Sequence, residues 1–290
     1  MLMRRLEVFL GSFIVVCLVC LGVMVFNDTI PVSSKDSEPE QVKAKELEQE
    51  TAPEEPVISD QADEVVVTET EETTKSKSVD AENHIVCIDA GHQQKANMTK
   101  EPIGPGSSKK KPKVAGGTRG VKSGLMEYQL ALDISLKLQE ELESRGYTVV
   151  MVRTTNDVDI SNSERAAIAN EAGADAFVKI HADGSDISSV HGASALCQTA
   201  DNPYNGNLHD ESYALSECVL DGVVSATGCK KRQIIETDGM TGINWSKVPT
   251  TIIEVGYLTN KDEDAKLNTD EYQTKIAKGI ADGIEAYYQR

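Results

Sequence analysis

From His84 onward, short apolar runs alternate with longer stretches whose apolar residues recur at helical spacing. The strand-like runs lie at 85–88, 148–152, 176–180, 193–196, 233–235 and 251–253. Helical spacing marks 125–144, 161–172, 211–226 and about 270–288. Gly146 and Gly173 stand just past the first two of these, where helices commonly close. Strand and helix patterns in alternation predict an α/β domain over 84–290.

Two segments before it have other textures. Residues 8–26 carry no charge, long enough as a helix to cross a bilayer, with Arg4 and Arg5 on the N-terminal side. This predicts a cytoplasmic stub at 1–7 and a signal anchor at 8–26 that sets the rest of the chain outside the cytoplasm. Cleavage and secretion is the competing reading; against it, the apolar run is long and no small-residue cleavage site follows Phe26. Residues 27–83 are rich in Glu, Lys, Ser, Thr and Pro, with about 17 acids against about 5 lysines. Such a segment buries too little apolar surface to offset its ordering entropy, which predicts a disordered acidic linker. It holds two thirds of the formal charge of −18, leaving the domain mildly acidic. Nucleic acid is not an expected partner for such a charge.

Six cysteines are too few for a disulfide scaffold, and Cys17 and Cys20 belong to the apolar segment. Cys87 and Cys197 fall inside strand-like runs and read as buried apolar residues. Cys218 and Cys229 complete a set of four whose pairing the sequence does not fix.

The chemistry gathers where strands end. His92 follows the run at 85–88 and His181 follows the run at 176–180, so both are expected at one edge of the sheet. Glu127 shares a helical stripe with Leu130, Ile134, Leu138 and Leu142, a face that should be buried. A carboxylate there needs a partner. A helix cap, a buried arginine or lysine, or a metal held with His92 and His181 are the three solutions. The third is the sharper, since two imidazoles, a carboxylate and an open position make a catalytic zinc site. Glu254 ends the last strand run and reads as a proton carrier, or as a strand-end acid paired with a surface lysine. His84, His191 and His209 read as bystanders. The stretch 93–124 reads as a basic, unstructured insertion, with Lys109, Lys110, Lys111, Lys113, Arg119 and Lys122. Trp245 is read either as lining a sugar or peptide cleft or as a core plug.

Taken in order, Asp89-Ala90-Gly91-His92, the helix-borne Glu127, Ile180-His181-Ala182-Asp183 and Ile253-Glu254-Val255-Gly256-Tyr257-Leu258-Thr259-Asn260 closely resemble the zinc-dependent N-acetylmuramoyl-L-alanine amidases of the bacterial cell wall. Ser163-Glu164-Arg165, Ala169-Asn170 and Gly192 belong to the same likeness. The resemblance implies a mixed, mostly parallel sheet with helices on both faces. It further implies one zinc ion held by His92, Glu127 and His181, catalysis by Glu254, and peptidoglycan as substrate, cut between N-acetylmuramic acid and L-alanine. A wall-binding module of the same fold without turnover, and a zinc peptidase acting on another amide, are the alternatives. Gln93 and Gln94 stand where relatives usually carry glycines. Gln93, Arg119, Asn244 and Trp245 are the candidate substrate contacts, and the lysines of the insertion suit anionic wall polymers.

Overall fold

The computed structural model describes Ala81 and residues 84–290. The expected anchor at 8–26 and all of the linker except Ala81 lie outside the described residues. Among the described residues, no helix is long and apolar enough to cross a membrane.

Ile85–Ala90 (β1) opens the domain, and Asn97–Pro102 (β2) with Lys110–Val114 (β3) forms a separate antiparallel hairpin. Glu127–Ser144 (α1), Thr148–Met151 (β4), Asn162–Glu171 (α2), Ala176–Asp183 (β5) and Ala193–Cys197 (β6) follow. The chain closes with His209–Thr227 (α3), Lys231–Glu236 (β7), Thr241–Asn244 (α4), Thr250–Tyr257 (β8), Lys261–Leu267 (α5) and Asp270–Tyr288 (α6). Six strands make one sheet in the order β4-β1-β5-β8-β6-β7. The neighbours β4-β1, β1-β5, β5-β8 and β6-β7 are parallel, and β8-β6 is antiparallel. The expected mixed, mostly parallel α/β sheet is what the chain builds.

Burial on both faces explains why the central strands read as continuous apolar runs. Val86, Ile88, Val178, Ile180 and Ile253 pack with Leu130, Ile134 and Leu138 of α1, Val219 and Val223 of α3, and Ile280 and Ile284 of α6. Cys87 and Phe177, on the opposite face, pack with Ala166 and Ala169 of α2. Ser161 caps α2, accepting from Glu164 N while the Glu164 carboxylate accepts from Ser161 N. Gly146 and Gly173 close α1 and α2 with φ of +93° and +60°, as expected. All four cysteines of the described residues are free, and Cys87 and Cys197 are buried. Burial pushes their thiols up, to about 12 and about 11.

The insertion departs from expectation. Part of 93–124 is the β2–β3 hairpin, whose ladder satisfies its backbone without an apolar face. Glu101 is buried and accepts from Ser163 Oγ at 2.5 Å, at the start of α2. On the facing strand, Lys111 Nζ donates to Gly239 O at 2.6 Å. Polar anchors do here what apolar alternation does in other hairpins.

Candidate active site

Because β1, β5 and β8 are parallel, their C-terminal ends meet at one edge. His181 and Glu254 are register partners across β5 and β8, so their side chains leave the same face. His92 lies just past β1 with φ +59°, and among the described residues it is the one non-glycine with positive φ. That left-handed turn costs about 1–2 kcal/mol and has to be held by its surroundings. The neighbouring Gly91 leaves room, since a Cβ there would stand 2.4 Å from Cε1 of the His181 ring. The sharp turn therefore belongs to His92, and the glycine serves the packing of the second histidine.

Glu127 opens α1 and is 4% exposed. Its Oε1 lies 3.0 Å from His92 Nε2 and 3.0 Å from His181 Nδ1. The same oxygen accepts from Ala182 N at 3.2 Å, and Oε2 accepts from Thr118 N at 2.7 Å. Neither a helix cap nor a buried basic side chain is its partner: the N-cap of α1 is Met126, without a side-chain capping bond. The carboxylate instead draws the two imidazoles together.

The donor set fits a metal. His92 Nδ1 is 2.8 Å from Ala115 O, and a carbonyl can only accept, so this nitrogen carries the proton. In the neutral ring, Nε2 then turns a lone pair towards a carboxylate oxygen at 3.0 Å. Only a proton or a cation makes that contact favourable. Three ligand atoms, one from each residue, lie within 4.8 Å of one another, and the residue types suit zinc. The Ala115 carbonyl is the outer partner that metal-bound histidines commonly have.

Burial works against the charge on Glu127, but hydrogen bonds from His181 and His92 outweigh it and hold the carboxyl well below the usual range. Burial likewise lowers His181. It opposes the bond to Glu127 at His92, where the bond wins and the ring rises above its ordinary value. Glu254 is raised well above the carboxylate range by burial first, then by Glu127 and Asp183. Two carboxyls near one centre are thus pushed in opposite directions, Glu127 down and Glu254 up.

These residues face a cleft of about 890 Å³. One wall is the hairpin and its exit, with Lys111, Pro112 and Thr118; another is the strand-end loop with Asp183 and Asp186. Sequence reasoning missed these lining residues. Asp183 was readable as the second residue after His181 on one strand face, whereas Lys111 was concealed in a stretch taken for an unstructured loop.

The expected substrate contacts do not reach the cleft. Gln93 is 1% exposed, with Oε1 accepting from Arg165 Nη2 and Ile160 N. Asn244 is equally buried and donates to the carbonyls of Ile103 and Asp238. Trp245 donates Nε1–H to Pro102 O and packs beside Cys87 and Phe177, so it plugs the core under the hairpin. Arg119 bonds Gly124 O in its own loop and is not among the cleft's lining residues. Gln93, Asn244 and Trp245 are each held by groups that the sequence separates from them. His84 stacks on Tyr288, His191 bonds Ser189 O and His209 sits between Asp210 and Glu236, all away from the centre.

The N-acetylmuramoyl-L-alanine amidase LytC of Bacillus subtilis (strain 168) is 31% identical to this chain over 167 residues, 58% of this chain and 32% of LytC. The chain therefore spans about a third of that relative. Among solved structures, the N-acetylmuramoyl-L-alanine amidase of Clostridium difficile 630 aligns with a TM-score of 0.57 at 28% identity, covering 70% of this chain and 96% of that one. The amidase Ami1 of Mycobacterium smegmatis shares the fold at a TM-score of 0.65 and 24% identity, over 71% of this chain and 97% of its own. The sequence profile described as N-acetylmuramoyl-L-alanine amidase matches residues 86–286, a stretch that contains His92, Glu127, His181 and Glu254. With its cleft residues and all of its sheet but Ile85 inside that match, the chain belongs to the N-acetylmuramoyl-L-alanine amidase family.

Proposed function

We propose that this protein is a zinc-dependent amidase that cleaves peptidoglycan between N-acetylmuramic acid and L-alanine. The observation that carries this reading is the convergence of His92, Glu127 and His181 beside Glu254, their register neighbour. Zinc, when bound, supplies a Lewis acid for the scissile carbonyl and lowers the pKa of a water. The chain supplies the rest. Glu127 stays ionised, and the Ala115 carbonyl keeps the His92 proton on Nδ1, leaving Nε2 free to ligate. Glu254 takes the proton of the attacking water and returns it to the leaving L-alanine amine.

The uncharged segment 8–26 supports a membrane anchor that confines the enzyme to inner wall layers, raising its effective concentration there. The exposed Lys100, Lys109 and Lys110 on the hairpin side of the cleft suit anionic wall polymers. Incubating the protein with purified peptidoglycan, with and without a chelator, tests the central reading. Stem peptides with a free L-alanine N-terminus should appear and should vanish with the chelator. Their absence under zinc-replete conditions overturns it.

A further inference from the structure

Arg153 lies just past β4, 3% exposed, at the edge where the ligands meet. Its guanidinium makes five hydrogen bonds, and none goes to a carboxylate. Nε donates to Ala90 O at 2.8 Å, and Nη2 donates to Gly91 O at 3.0 Å and Tyr128 O at 2.8 Å. Nη1 donates to Thr155 O at 3.1 Å and Asn156 Oδ1 at 2.9 Å. A buried cation with no carboxylate among its hydrogen-bond partners is a poor way to stabilise a core, since an apolar side chain of similar volume packs there without the desolvation penalty. What the guanidinium does provide is a rigid planar fork with fixed directions.

Those directions are informative. Ala90 and Gly91 lead into His92, and Tyr128 follows Glu127, so one planar group ties together the segments carrying two of the three ligands. A second buried arginine takes the next carbonyl: Arg165 Nη2 donates to His92 O at 2.9 Å, and its Nη1 pairs with Asp89 at 2.6 Å. Asp89 also pairs with Lys179, two residues before His181 on β5. Three successive carbonyls, from Ala90 to His92, are thus pinned by guanidinium donors. This is the restraint that the left-handed backbone of His92 requires.

We infer that Arg153 is a positioning residue of the metal centre, locking the His92 segment against the start of α1 so that His92 and Glu127 converge. The inference rests on the zinc reading above. It is tested on the full chain in detergent with Arg153→Lys, which keeps the charge but loses the fork, and with Arg153→Gln. Zinc affinity is measured by competition with a chromophoric chelator, ligand geometry by the visible absorption of the cobalt-substituted protein, and stability by unfolding of the metal-free form. Both variants should bind zinc about 10–100-fold more weakly and alter the cobalt spectrum while still folded at the assay temperature. Wild-type affinity and spectrum in a folded variant overturn the inference. So does the unfolding of both variants, which makes Arg153 a residue of the fold alone. Wild-type protein that binds no zinc overturns instead the reading on which the inference rests.

Discussion

Glu127 has four partners: two imidazoles, Thr118 N and Ala182 N. Glu127→Ala takes away the group the two histidines share and leaves both backbone donors unpaired, so it should cut zinc affinity about 100-fold or more, read by metal content after dialysis. Glu254 is different in kind, since it neighbours the ligand set without belonging to it. Glu254→Gln keeps the size and loses the proton chemistry, so turnover should fall about 10²–10⁴-fold while zinc content stays at the wild-type level. Zinc loss in that variant reassigns Glu254 as a ligand. The meeting of His92, Glu127, His181 and Glu254 at one sheet edge was legible because each ends a strand or sits on an apolar stripe where a polar group is out of place. Gln93 and Asn244 were misread for the opposite reason. A polar side chain in a turn suggests exposure, and the carbonyls and guanidinium that bury them come from remote parts of the chain.

At the scale of elements, long apolar patterns gave true strands and helices, and their ends moved by only a few residues. The strands of the β2–β3 hairpin, Asn-Met-Thr-Lys-Glu-Pro and Lys-Lys-Pro-Lys-Val, have no apolar alternation to read. α4 and α5 are too short to show a period. α3 and α6 pack backbone to backbone, and a Cβ on Gly222 would lie 2.1 Å from Gly279 O. Gly222→Ala should force these helices apart and destabilise the domain by about 1–3 kcal/mol, seen as a lowered thermal midpoint with unchanged zinc affinity. The hairpin carries its own expectation. Lys109→Gln with Lys110→Gln should weaken retention on walls bearing anionic polymers at low salt, and the difference should fade as ionic strength rises. Equal retention at low salt removes the lysines from wall binding.

For the whole molecule, the buried charges at the sheet edge make stability depend on pH. Burial alone raises the Asp89 carboxyl, but Arg165 and Lys179 outweigh it and hold it well below the usual range. A carboxyl lowered on folding contributes stability that is complete above its unfolded value, about 4, and is lost as pH falls through the folded value. Metal-free protein should therefore lose stability below about pH 4. Asp89→Asn, which leaves two buried cations without their shared partner, should cost about 3–5 kcal/mol near neutrality and flatten that acid limb. Thermal unfolding from pH 3 to 7 measures both effects. A variant as stable as wild type at pH 7 shows that the network contributes nothing net.

The hairpin's far end is fastened by His92 and Glu127 themselves, because His92 Nδ1 donates to Ala115 O and Glu127 Oε2 accepts from Thr118 N. Its near end leaves β1 through Gln93, which Arg165 and Ile160 N fix in place. Between these two footings the hairpin is tied down again, by Glu101 to Ser163 and by Lys111 to Gly239 O, and Lys111 and Pro112 form part of the cleft wall. The side chains of the exposed Lys100, Lys109 and Lys110 take no part in these ties, so their charge can be changed apart from the four residues at the sheet edge.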